Sequence, residues 1–106
     1  MNINEYQKQA SETAIYKDKL IYPTLGLAGE AGEIANKVKK ILRDSSGEMQ
    51  EDTRQNLISE LGDVLWYVAA LATDLKTELS EVANKNIEKL NSRKNRGTIG
   101  GSGDNR

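Results

Sequence analysis

Leu57, Leu61, Val64, Leu65, Val68 and Leu71 follow one another at steps of one, three and four residues, a spacing that an α-helix gathers onto one side. The same rhythm recurs along the chain, and no stretch shows the strict alternation of a half-buried strand. The single proline, Pro23, leaves long segments uninterrupted. This pattern predicts an all-α fold of four helices. The first runs from about Asn4 to Tyr16, with Asn2 or Asn4 available as N-cap. The second starts near Pro23, a favourable first-turn residue, and reaches about Arg43. The third spans about Asp52 to Thr73, and the fourth about Ser80 to Arg93, carrying Val82, Ile87 and Leu90. Asp44-Ser45-Ser46-Gly47 reads as a polar loop between the second and third. Residues 1–95 are expected to form one domain, and the glycine-rich residues 96–106 a flexible tail. At 106 residues the core is small, so oligomerisation is expected.

The inventory of side chains narrows the chemistry. The chain has no cysteine and no histidine, which removes disulfides, thiolate chemistry, the usual zinc sites and histidine-based acid–base catalysis. Any metal must be held by oxygen, which suits Mg²⁺, Mn²⁺ or Ca²⁺. A formal net charge of −1 gives no global field toward nucleic acid or an anionic membrane. No apolar run approaches the roughly 20 residues of a membrane span, and Met1–Ala10 is too polar for a signal peptide. A cytoplasmic protein with neither nucleic acid nor membrane as partner is expected.

Two acidic pairs stand out: Glu30 and Glu33 in Gly29-Glu30-Ala31-Gly32-Glu33, and Glu60 and Asp63 in Glu60-Leu61-Gly62-Asp63. Each is spaced i, i+3, along one stripe of its helix. At ~100° per residue, with Glu60 as zero, Asp63 lies at about −60°, Tyr67 at −20°, Leu71 at 20°, Val64 at 40° and Leu57 at 60°. With Glu30 as zero, Glu33 and Lys37 lie at about −60° and −20°, and Ile41, Ile34 and Leu27 at about 20°, 40° and 60°. Both pairs therefore sit at the edge of an apolar face. Carboxylates in such places are costly unless paired or bound to a cation. The competing reading is a solvated acidic face balanced by Lys37 and Lys40. Glycines in a helix cost about 1 kcal/mol each relative to alanine, so Gly26, Gly29 and Gly32 suggest close approach by a helix or a ligand.

Gly26-Leu27-Ala28-Gly29-Glu30-Ala31-Gly32-Glu33 and Ser59-Glu60-Leu61-Gly62-Asp63-Val64-Leu65-Trp66-Tyr67 resemble the paired Glu-x-x-Glu and Glu-x-x-Asp motifs of the MazG-like all-α nucleotide pyrophosphohydrolases. Asn86-Ile87-Glu88-Lys89-Leu90 with Arg93 is similar to that family's last helix, so the resemblance runs from Gly26 to Arg93. It implies a Mg²⁺ site at Glu30, Glu33, Glu60 and Asp63, with Mn²⁺ as a substitute. It also implies attack of water on the α-phosphorus of a nucleoside triphosphate, releasing pyrophosphate. Glu33 is the carboxylate expected to activate the water. Lys89 and Asn86 are expected on phosphate oxygens, with Lys37 and Arg93 as further candidates. Phosphoryl displacement needs positioning and charge neutralisation more than a covalent nucleophile, which this inventory can supply. The resemblance further implies a homodimer or homotetramer with jointly built pockets. The rivals are a phosphoribosyl-ATP pyrophosphohydrolase, a dUTPase-type relative and a non-catalytic helical interaction module. A purine dNTP such as dGTP is the expected substrate.

Several residues admit two roles. Tyr67 shares the carboxylate stripe and is either a pocket wall or a core tyrosine. Tyr6, Gln7 and Tyr16 are candidate base contacts or surface residues. Trp66 lies at about 240° from Glu60 and is expected at a subunit interface. The ending Gly101-Ser102-Gly103-Asp104-Asn105-Arg106 resembles that of small family members, which sets closure over a triphosphate against the flexibility its composition implies.

Overall fold

Asn2 opens the first helix by a reciprocal pair of hydrogen bonds. Its carboxamide oxygen accepts from the Glu5 amide at 2.8 Å, and the Glu5 carboxylate accepts from the Asn2 amide at 3.4 Å, which is a capping box. The computed structural model describes all 106 residues and contains four helices and no strand: α1 (Ile3–Ser11), α2 (Ile21–Asp44), α3 (Glu51–Asp74) and α4 (Leu79–Asn95). The all-α, four-helix expectation therefore holds, and the ends of α2, α3 and α4 fall within two residues of those read from spacing.

The first helix is shorter than expected. It stops at Ser11 rather than near Tyr16. The Ser11 and Thr13 hydroxyls donate back to the carbonyls of Lys8 and Ala10, competing with continued helix. The freed chain crosses toward the end of α3, where the Tyr16 hydroxyl and the Leu20 amide both donate to the Asp74 carboxylate, at 3.0 and 2.9 Å. Leu20 has φ of 68°, a conformation that costs a non-glycine residue on the order of 1–3 kcal/mol. The bond to Asp74 holds it there, one residue before α2 begins.

Helices α2 and α3 are each 24 residues long and form the main packing pair. They run antiparallel. Gly26 meets Tyr67, Glu30 approaches Asp63 and Glu60, and Lys37 reaches Glu60, so early positions of one meet late positions of the other. The polar turn between them is closed by the Ser45 and Gly47 amides donating to the Ile41 carbonyl. Below this pair, α1 packs on α3 around Ala10, Ala69, Ala72 and Leu79. Side chains of α1 also satisfy the start of α4: Gln7 accepts from the Leu79 amide at 2.7 Å, and Asn4 from the Ser80 amide at 3.0 Å. Both are among the donors a helix N-terminus leaves unpaired. Helix α4 touches α1 and α3 and makes no packing contact with α2.

No helix is long and apolar enough to cross a membrane. Ile21, Leu25 and Leu42 on α2 and Ile58, Leu61 and Leu65 on α3 are exposed. Within one chain, then, the two long helices keep a second apolar face uncovered.

Candidate active site

The α2–α3 pair brings three of the four expected carboxylates together. One oxygen each from Glu30, Glu60 and Asp63 lies within 4.8 Å of the others. Glu30 and Glu60 are half-buried and Asp63 is exposed. Glu33, one turn beyond Glu30, stands outside this group and is exposed. Its charge is nonetheless felt at Glu30. The crowding shows in the acid strength of Glu30. A hydrogen bond shared with Glu60, which one of the two must be protonated to donate, raises its pKa. Burial and the charges of Asp63, Glu60 and Glu33 act in the same direction. Lys37 is the cation nearest the group, 3.7 Å from Glu60.

A divalent cation suits this donor set. All donors are oxygens, as Mg²⁺ or Mn²⁺ prefers. Oxygens on opposite sides of one Mg²⁺ are about 4.2 Å apart, so a group spread over no more than 4.8 Å needs little adjustment to hold one. The unrelieved mutual repulsion at Glu30 is the physical reason to expect a cation there.

Glu30 and Asp63 also line a cleft of about 620 Å³, whose other walls are Thr13, Ile15, Tyr16, Tyr22, Trp66 and Tyr67. Four of the chain's five aromatic residues thus gather beside the carboxylates. Tyr16 and Tyr22 stack at 5.0 Å, and Trp66 meets Tyr67 edge-on at 5.1 Å. Gly26 makes this possible, because a Cβ there would lie 2.2 Å from a Tyr67 ring carbon. By contrast, Gly29 and Gly32 have no neighbour within 4 Å, so the close approach inferred from all three is met within the chain only at Gly26. Burial first, then the Asp74 carboxylate, push the Tyr16 phenol up to about 12. Burial, then Tyr22, Glu30 and Asp63, also raise Tyr67.

Two residues have surroundings that the sequence did not indicate. Trp66 packs within its own chain against Tyr16 and Tyr67, and its indole N–H donates to the Thr13 hydroxyl at 2.8 Å. The wheel placed it off the carboxylate stripe, but the chain after α1 crosses over that side and turns it into a wall of the cleft. Gln7 is no base contact; it is buried, donating to Thr73 and Thr77 while capping α4. Of the other first-helix candidates, Tyr16 lines the cleft, whereas Tyr6 packs on the core and has its phenol raised by burial and then by Asp63. Tyr22 and Asp74 went unread. Tyr22 lies at about −80° from Glu30 on the same wheel, beside the glycine stripe, so spacing alone held a clue to it. Asp74 had none.

Asn86, Lys89 and Arg93 are not brought to this cleft. They sit on α4, away from α2. Asn86 and Lys89 line a separate polar cleft of about 450 Å³. Arg93 is buried beneath the glycine-rich segment, which packs on α4 instead of trailing free.

The MazG nucleotide pyrophosphohydrolase domain matches residues 23–98, which takes in both acidic motifs and the whole of α4. The Gene 37 protein of Mycobacterium phage L5 is 55% identical over the full length of both chains. No solved structure gives a significant match.

Proposed function

The chain belongs to the MazG nucleotide pyrophosphohydrolase family, and from that premise we propose that it converts a nucleoside triphosphate to the monophosphate and pyrophosphate in a Mg²⁺-dependent reaction. A purine dNTP such as dGTP is the preferred substrate in this reading. The observation that carries it is the shared wall: Glu30 and Asp63 face the same cleft as Tyr16, Tyr22, Trp66 and Tyr67. A base stacks on aromatic faces whatever its edge, and a purine offers the larger stacking surface. A nucleotide so placed has its phosphates beside the carboxylates.

Glu30, Glu60 and Asp63 would hold Mg²⁺, which neutralises phosphate charge and orients the oxygens when bound. Glu33, outside the group, is left to take the proton from the attacking water. The water oxygen bonds to the α-phosphorus, the bond from that phosphorus to the α–β bridging oxygen breaks, and pyrophosphate departs with the electron pair. Lys37 lies close enough to Glu60 to steady it or to meet a phosphate. Lys89 and Asn86 would meet the outer phosphates. Since α4 does not touch α2, they would come from a second copy in a homodimer or homotetramer, packed on the exposed apolar face of α2 and α3. A cytoplasmic setting, where nucleotides are plentiful, belongs to the same reading.

The test is pyrophosphate release from a panel of NTPs and dNTPs, phosphoribosyl-ATP included, with Mg²⁺ present. We expect turnover with a purine dNTP leading. Glu33→Gln should fall at least about 100-fold while still folded, the usual scale for a lost general base, and Asp63→Asn should lose activity with the loss of a metal ligand. Activity on dUTP or phosphoribosyl-ATP alone would move the assignment to those relatives. Thermal stabilisation by Mg²⁺ without turnover of any nucleotide would favour a binding module.

A further inference from the structure

Residues 96–106 form a closed loop. Gly97, Gly101 and Gly103 take positive φ of 71°, 95° and 85°, and the Arg106 guanidinium donates to the carbonyls of Thr98, Ile99, Gly100 and Gly103. Closed this way, the loop presents Asp104 to α4. The Asp104 main-chain carbonyl accepts from Arg93, and its carboxylate accepts from Arg93 at 3.1 Å and from the Lys89 ammonium at 2.8 Å. Arg93 is 5% exposed, so it serves as an anchor and is not accessible to a ligand. Lys89 is different. Its side chain is 38% exposed, and it borders the polar cleft shared with Lys85 and Asn86.

We propose that Asp104 is a positioning residue for phosphate binding, fixing the Lys89 ammonium at the rim of that cleft with two of its three N–H donors free for polyphosphate oxygens. This rests on the reading of Lys89 as a phosphate ligand. A lysine has among the largest rotamer entropies of any side chain, and holding it in place beforehand removes that cost from binding. The opposing effect is repulsion between Asp104 and the bound anion. Asp104 is 78% exposed, so its repulsion of an anion beyond Lys89 acts at longer range than its 2.8 Å contact with that ammonium and is the more strongly screened by water and salt. Both cations also hold the Asp104 carboxyl below its usual range, Lys89 the more strongly, so the clamp stays charged at neutral pH.

The experiment is calorimetric titration of the full chain with inorganic tripolyphosphate, without divalent cations. The variants are Asp104→Asn, Asp104→Glu, Lys89→Met and the Asp104→Asn/Lys89→Met double. Asp104→Asn should weaken binding about five- to tenfold, the scale of one lost charge-assisted hydrogen bond. Asp104→Glu should recover most of it, and Asp104→Asn should change nothing further once Lys89 is Met. With a nucleotide, Asp104→Asn should raise KM and leave kcat nearly unchanged. Tighter binding by Asp104→Asn would overturn the proposal, making the loop a competitor of the anion. Equal weakening in both Lys89 backgrounds would overturn it as well, leaving only a role in folding the loop, as would wild type that binds no tripolyphosphate. If tripolyphosphate binding follows Asp104 but no nucleotide is hydrolysed, the pyrophosphohydrolase reading fails and this inference stands.

Discussion

Gly26 and Gly29 occupy one helix, three residues apart, and the structure gives them opposite environments. A methyl group at Gly26 would fall 2.2–2.7 Å from three Tyr67 ring atoms, while at Gly29 it would meet nothing within 4 Å. Gly26→Ala must therefore push Tyr67 off its place. The cost of such overpacking is about 1–3 kcal/mol, set against a gain in helix propensity of roughly 1 kcal/mol. We expect a net loss, read as a lower urea midpoint, together with a raised KM as the cleft wall moves. Gly29→Ala keeps the propensity gain alone and should raise the midpoint. The same sign for both substitutions would show that Tyr67 yields freely and is no fixed wall. From the sequence, the three glycines of α2 looked alike, because which of them faces a ring depends on the register of α2 against α3.

The helices themselves were legible wherever spacing governs them. Apolar steps of three and four placed α2, α3 and α4 to within two residues, and the same periodicity set Glu30 opposite Glu60 and Asp63, with Glu33 outside the group. What spacing could not supply was the path of residues 12–20, which depends on partners far away in sequence: Asp74 for Tyr16 and Leu20, and Trp66 for Thr13. That crossing brings Thr13, Ile15 and Tyr16 to the cleft beside Trp66, a neighbourhood that the spacing of α3 alone does not indicate. It also carries a pH signature. The Tyr16 phenol is pushed up to about 12 by burial and Asp74, from an unfolded value near 10. A raised folded-state pKa contributes stability that is present below the unfolded value and is lost as pH rises through the folded one. The crossing should thus hold to about pH 10 and loosen between about 10 and 12. Alkaline titration of tyrosinate absorbance should show a last-ionising phenol that Tyr16→Phe removes, at a stability cost of about 1 kcal/mol for the lost hydrogen bond. Unchanged late ionisation in Tyr16→Phe would assign that phenol elsewhere.

The radius of gyration is 16.6 Å, with extents of 43 × 42 × 28 Å, against about 13 Å for a compact domain of this length. The core is mostly alanine, and larger apolar side chains such as Leu25, Leu42, Ile58 and Leu61 stay exposed on α2 and α3. Such an open shape leaves an apolar face that nothing within the chain covers. In the proposed function that face is where a second copy docks, and the separation of α4 from α2 makes docking a condition of activity. Sedimentation equilibrium should find a dimer or tetramer, and Leu61→Glu should shift it toward monomer and abolish turnover. A stricter check mixes two disabled chains, Glu60→Gln and Lys89→Met, under subunit exchange. If each site takes its carboxylates from one copy and its lysine from another, a mixed dimer keeps one intact site. Random mixing then restores about a quarter of wild-type activity, as two-fold symmetry requires. Were each site built within one chain, both sites of every mixed dimer would stay disabled, and no activity would return.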